Sequence, residues 1–471
     1  MRSFPWLPLA GAALSSALLL SACVDLAPAY TRPDAPVASA WPASAPANTR
    51  APVPARDAPD IGWHDFILDD RLRHVIEIAL ANNRDLRVSV LNVEQARAQY
   101  RIQDASGLPV VSGDASFTRS GAAGVATNSF GVGVGLSSYE VDLFGHVKNA
   151  NRAALESWLA TTEGARSARI SLVAEVATQW LALAADAQTQ RLNESMLTLD
   201  DKSLDLNRRM HDLGAIKGLP VVQAQAAFEA ARGAVAAGRS QLLLDRNALT
   251  LLVGQEVPDD LLPLAPLATP AAALVGVPAG LPASVLQQRP DVLAAEHSLQ
   301  QAQYSIGVAR AALFPTITLT GSGGTASPEL SGLFKSGSGT WSFGPSISVP
   351  LLNRGALQAG VDSAKVGREI ALANYDKAVQ VAFREVADAL AVRTTLAERL
   401  SAQQAQTRAS EAALRDADAL FRNGSVSYLE VLTAQRSLYA SQQSEIALVL
   451  TEQDNRIVLY KALGGGWKES N

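Results

Sequence analysis

The residues able to do chemistry are few, and their spacing supports none. The five histidines, His64, His74, His146, His211 and His297, are scattered along 471 residues with no metal-ligand spacing. The string GVGVG at 131–135 has the glycines of a phosphate loop but no following Lys-Ser/Thr pair. It sits inside an alternating apolar run, where glycine serves as a small strand residue. The carboxylates of HDFILDD, 64–70, have no nucleophile or base beside them and read as solvated surface. The expectation is a protein that is not an enzyme and holds no metal and no diffusible cofactor. One side chain remains: Cys23 is the only cysteine of the chain, which excludes an intrachain disulfide framework.

The setting of Cys23 gives it a role. The chain opens with Arg2, an apolar stretch ending at Leu20 and small residues before Cys23, the layout of a secretory signal over 1–22. LSAC, 20–23, resembles a bacterial lipobox, which implies cleavage before Cys23, a diacylated thiol and an acylated new amino group. An ordinary signal peptide with an unmodified thiol is the alternative. Val24, where an Asp would favour the inner membrane, points this covalent lipid to the outer membrane. Residues 23–60, rich in Pro and Ala, read as a lipidated tether. The balance of 40 basic and 45 acidic residues provides no basic patch for nucleic acid. Apart from the N-terminal segment, no apolar run reaches the roughly 18 residues of a spanning helix.

The elements that position these residues come in two copies. Residues 82–110 align with 288–316, 174–183 with 384–393, Gly214 with Gly424 and Gly254 with Gly464. The reading is therefore a first repeat over 61–270, a second over 271–467 and a short tail, 468–471. Each repeat reads as helix, two strands, a very long helix, a turn and another long helix.

The strand runs alternate at period 2. Trp341, Phe343, Ile347, Val349 and Leu351 fall on one side of 340–352, with Ser342, Gly344, Ser346 and Ser348 on the other. Similar alternation runs through 129–137 and 316–320, and more weakly through 110–118. A membrane β-barrel and a soluble sandwich both accommodate this pattern. Four strands cannot close a membrane barrel, since the smallest have about eight, so a spanning sheet requires several copies; three copies of four strands make twelve. Residues 149–213 and 357–423 contain no proline and would form continuous helices of roughly 100 Å. The apolar positions of the second, Val386, Leu390, Ala397, Leu400, Leu414 and Phe421, are interrupted by Gln404 and Glu411, which suits a helix wet on one face. Gly214 and Gly424 end the two helices at C-cap positions.

These features together resemble the outer-membrane efflux proteins, the TolC-like family, and within it the lipoproteins of tripartite resistance–nodulation–division systems. The likeness rests on the lipobox with YTRP after it, the stretch 288–324, the two related turns at 213–225 and 423–435, and LYKALGGGW at 459–467. The resemblance implies an α+β membrane protein: a trimeric 12-stranded outer-membrane β-barrel continuous with a 12-helix periplasmic α-barrel of long coiled-coil helices. Residues 255–285 would belong to an equatorial belt. It implies a homotrimer, a periplasmic membrane-fusion adaptor docking at Gly214, Ala215, Ile216, Asn423, Gly424, Ser425 and Val426, and an inner-membrane transporter. The corresponding gate positions are Leu429 and Thr433; the family's acidic residue is absent at Thr433, and Glu430 is the nearby carboxylate. Arg422 is placed to bridge an acid such as Asp212. The implied activity is passive export of small molecules such as drugs; an exit duct for type I protein secretion and a non-conducting structural lipoprotein are the alternatives.

Overall fold

The computed structural model of the protein describes residues 24–41, 61–122, 124–263, 267 and 283–465. The signal segment 1–22, Cys23, residues 42–60, most of the expected equatorial belt and the tail 468–471 lie outside the described residues. In chain order the principal elements are α1 (Trp63–Phe66), α2 (Asp70–Asn82), α3 (Arg84–Ala105), β1 (Val110–Ala122) and β2 (Val125–Glu140). There follow α4 (His146–Asp212), α5 (Gly218–Val253), α6 (Pro290–Ala311), β3 (Thr316–Ser327), β4 (Gly339–Ser348), α7 (Arg354–Arg422) and α8 (Tyr428–Ala462). The order of α5 after α4 and α8 after α7 repeats, as the duplication requires. The long helices α4 and α7 run for 67 and 69 residues. Within α4 one window has a mean hydropathy of 1.2, enough to cross a membrane by composition, but 56% of it is buried inside the protein. It is a core helix.

The chain divides into two compact units. The first, within residues 1–35, 91–163 and 293–378, holds a four-stranded antiparallel sheet of order β1-β2-β3-β4. Residues 24–35, read from the sequence as part of a tether, are fastened along this unit. Asp25 accepts hydrogen bonds from Asn149 at 3.0 Å and Arg152 at 2.8 Å, and Lys148 lies 3.2 Å away. Burial alone would raise the Asp25 pKa; the bonds from Asn149, the Ala27 N–H and Lys148 outweigh it and hold the carboxyl down at about 2. Further along, Gln303 donates to the carbonyls of Pro28 and Ala29, Arg310 to that of Leu26, and Tyr30 and Arg32 to Glu296. A tether rich in proline and alanine is not free when side-chain donors hold the carbonyls of Leu26, Pro28 and Ala29.

The second unit, within residues 36–90, 164–292 and 379–471, is helical. Asp69, one of the carboxylates of the 64–70 string, caps α2 by accepting from the N–H groups of Arg71 and Leu72. Burial pushes its pKa up, but the Arg71 guanidinium and the Leu72 N–H prevail and leave it lowered. The Arg289 side chain, 6% exposed, joins Asp291 at 2.6 Å, Glu385 at 2.8 Å and the Ala462 carbonyl at 2.7 Å, tying the start of α6 to α7 and α8. Here α7 differs from the sequence expectation. Its inward line passes through Leu396 rather than Ala397, which is exposed. From Val379 onward the line steps by three and four residues through Val379, Ala382, Val386 and Ala389, and passes exposed Arg393 to Leu396. It continues through half-buried Leu400 and Gln403 to Thr407, Ser410 and Leu414. That 3.5-residue period is the seam of a left-handed coiled coil. Polar Gln403, Thr407 and Ser410 sit in it and hide it from a reading of hydrophobicity.

Candidate channel surfaces and gate

The register of the sheet sorts its side chains. Phe117 faces Phe130, Val132 pairs with Ala115 and Thr325, Val134 with Gly113 and Gly323, and Leu136 with Val111 and Gly321. Gly321 and Gly323 pair with Phe343 and Trp341, and Ile317 with Ile347. Since directly opposed residues share a face, all these apolar residues lie on one side. Ser112, Asp114, Ser116 and Thr118 lie on the other, with Gly131, Gly133, Gly135, Thr318, Thr320, Ser322, Ser342 and Ser346. A bulge between Leu136 and Tyr139, with Ser138 at φ 46°, advances the count and brings Tyr139 opposite Leu319, onto the apolar face. The apolar face is bare: Trp341 is 84% exposed and Phe117, Val134, Phe343 and Ile347 are exposed with it. A soluble sandwich would cover this face with a second sheet; all four described strands belong to one sheet. The outer strands β1 and β4 each offer an open edge. The expected continuation of β4 through Val349 and Leu351 does not form; the strand ends at Ser348, ahead of Pro350, which has no N–H for a ladder.

The two helix tips have matching backbones. Gly214 adopts φ 72°, its N–H bonds the His211 carbonyl at 2.8 Å, and the Ala215 N–H bonds that of Met210 at 2.8 Å. Gly424 also adopts φ 72°, with its N–H on Phe421 and the Ser425 N–H on Leu420, both 2.9 Å. Each is a Schellman turn, which needs a left-handed residue that glycine supplies without strain. Leu213 and Leu219 are exposed at the first tip. Beneath the second, Tyr428, Val431 and Leu432 bury themselves with Leu204, Ala224 and Ala227, and Phe421 meets the Tyr428 ring edge-on at 5.4 Å.

Burial of Tyr428, Val431 and Leu432 turns the intervening residues outward. Leu429 is 53% exposed, and Glu430 and Thr433 are exposed beside it, so the three expected gate positions share the open side of α8. The Thr433 hydroxyl donates to the Leu429 carbonyl at 2.8 Å and is occupied by its own helix. Arg422 does not bridge to Asp212. It pairs with Asp418 one turn back at 2.5 Å, the acid that i, i+4 spacing sets beside it, while Asp212 lies near His211.

Two acid sites had no signal in the sequence. Asp186 on α4 lies against Asp245 on α5; burial first, then the neighbouring carboxylate, pushes Asp186 up to about 6. Asp200 on α4 is 3% exposed, and one of its oxygens has no hydrogen-bond partner. The histidines all serve locally. His146 meets Glu140 at 3.1 Å, His297 meets Glu156 at 2.6 Å, and His64 stacks on Trp63 at 3.6 Å.

An exposed apolar face backed by a hydroxyl- and glycine-lined one, carried with very long helical hairpins, defines an outer-membrane channel protein. Residues 75–255 and 281–465 match the outer membrane efflux protein family, and the chain belongs to that family. It is 41% identical over 463 residues to the probable efflux pump outer membrane protein TtgC of Pseudomonas putida, covering 96% of this chain and 95% of that protein. The crystal structure of a membrane protein from Pseudomonas aeruginosa superposes with a TM-score of 0.87 at 38% identity, over 95% of this chain and 99% of the other. The open state of the MtrE outer membrane channel of Neisseria gonorrhoeae gives 0.86 at 38% identity, over 94% and 99%. The protein is an outer-membrane efflux channel.

Proposed function

We propose that three copies of the chain share one twelve-stranded barrel and act as the exit duct of a tripartite pump, passing small molecules from the periplasm to the exterior. The sheet carries this reading: four strands per copy have one face for lipid, one for water, and two open edges that hydrocarbon does not tolerate. An inner-membrane transporter of the resistance–nodulation–division class supplies the energy. A membrane-fusion adaptor docks on the tips, at Gly214, Ala215 and Ile216 and at Asn423, Gly424, Ser425 and Val426. Lipid on Cys23 anchors the N-terminus, and the strap of residues 24–35 holds that anchor to the sheet-bearing unit. Leu429 forms the constriction, with Glu430 and Thr433 at its rim.

Accumulation of a dye and antibiotic panel in a deletion strain, with and without the plasmid-borne gene, tests the reading. Raised accumulation reversed by the gene is the expected result. Unchanged accumulation together with trimeric conductance in planar bilayers would favour protein export instead; absence of conductance would favour a structural lipoprotein.

A further inference from the structure

A cleft of about 250 Å³ lies between the α4/α5 hairpin and α8. One wall is an apolar row on α5, formed by Ala227, Ala231 and Ala234, and Leu432 of α8 adds to it. Asp200 lines the cleft from α4, almost wholly buried, with an oxygen that no protein donor reaches. Burial raises its pKa and the Arg436 charge pulls it back, but the two side chains form no ion pair. Arg436 is exposed and also lines the cleft, so an exposed cation and a buried anion share one cleft wall without joining in an ion pair. The other polar wall groups are already satisfied, since the Tyr439 hydroxyl donates to Asn193 at 2.5 Å. Leaving a carboxylate buried and unpaired is costly, and a ligand ammonium would remove that cost.

We propose that this cleft binds a small amphipathic zwitterion, with its ammonium group on the Asp200 carboxylate, its carboxylate on Arg436 and its hydrocarbon along the alanine row. Leu432 lines the cleft one residue from Thr433, so an occupied cleft braces α8 where the gate residues sit.

Calorimetric titration of the purified full-length protein in detergent with three matched probes tests this. They are L-phenylalanine, 2-phenylethylamine, which lacks the carboxylate, and 3-phenylpropionate, which lacks the ammonium. Phenylalanine should bind saturably and more tightly than either. Asp200→Asn should weaken both ammonium-bearing probes by about tenfold or more. Arg436→Gln, at an exposed position, should weaken phenylalanine and leave phenylethylamine no weaker. Ala231→Leu, which fills the apolar wall and keeps both charges, should abolish binding. Absence of saturable binding by all three probes to the wild-type protein would overturn the proposal. So would equal phenylalanine affinity for the wild type and either charge variant.

Discussion

At the scale of the residue, the gate and the histidine pair make separable predictions. Leu429 is half exposed and outside the tip core, so truncating it should cost little stability. Leu429→Ala should therefore raise single-channel conductance in planar bilayers several-fold while leaving thermal unfolding unchanged. Wild-type conductance in that variant would remove Leu429 from the gate. His297 predicts a pH dependence. The Glu156 carboxylate at 2.6 Å raises its pKa above 6.5, with burial opposing and Glu163 and Glu296 adding to the rise. A raised folded-state value stabilises fully below the unfolded value and is lost as pH climbs through the folded one. His297→Gln should thus lower stability at about pH 6 by about 1.5–3 kcal/mol, the range for a hydrogen bond to a charged group. The deficit should shrink in alkaline buffer, and an unchanged deficit there would mean that the pair acts without its charge.

At the scale of the element, two glycines with different reasons to exist should respond differently. Gly424 needs its φ of 72° but nothing lies within 4 Å of where a Cβ would stand. Gly424→Ala should cost about 1–2 kcal/mol of backbone strain and still assemble. At Gly324 a Cβ would lie 2.4 Å from the Val132 carbonyl oxygen and 2.7 Å from the Gly133 Cα, both backbone atoms of the adjacent strand. Gly324→Ala should force β2 and β3 apart and sharply reduce heat-stable oligomer on semi-native gels. Equal oligomer yield from the two variants would contradict this close approach. Element type was legible throughout: proline-free alanine-rich stretches became α4 and α7, and glycines at the C′ positions became the tip turns. The seam of α7 was not legible, because a polar residue in a seam is identified by its partner. Gln403, for example, donates to the Ser441 carbonyl at 3.0 Å, and no local pattern encodes that bond.

At the scale of the whole molecule, the sheet order predicts how copies join. Within one chain β2 and β3 separate β1 from β4, so a disulfide between those outer strands can form only between copies. Cysteine at Ser112, combined with a cysteine scanned along residues 340–348, should yield covalent dimers and trimers on non-reducing gels. The native chain interferes little, having only Cys23. A scan that gave no cross-link, or stopped at dimers, would exclude the shared twelve-stranded barrel.

The sequence by itself determined the duplication, the type of each long element, the glycine turns and the parity of each strand. All of these follow from local steric preference or a period of 2. Tertiary structure decided what parity alone leaves open. A strand's alternation says that it has an apolar side but not that four such sides coincide; register and the bulge at Ser138 did that. It also decided that this face is uncovered, which separated a membrane sheet from a sandwich. The strap at 24–35 and the buried Asp200 likewise depend on which distant side chains arrive nearby. Charge and hydrogen bonding act over a few ångströms of space, and separation along the chain does not measure that distance.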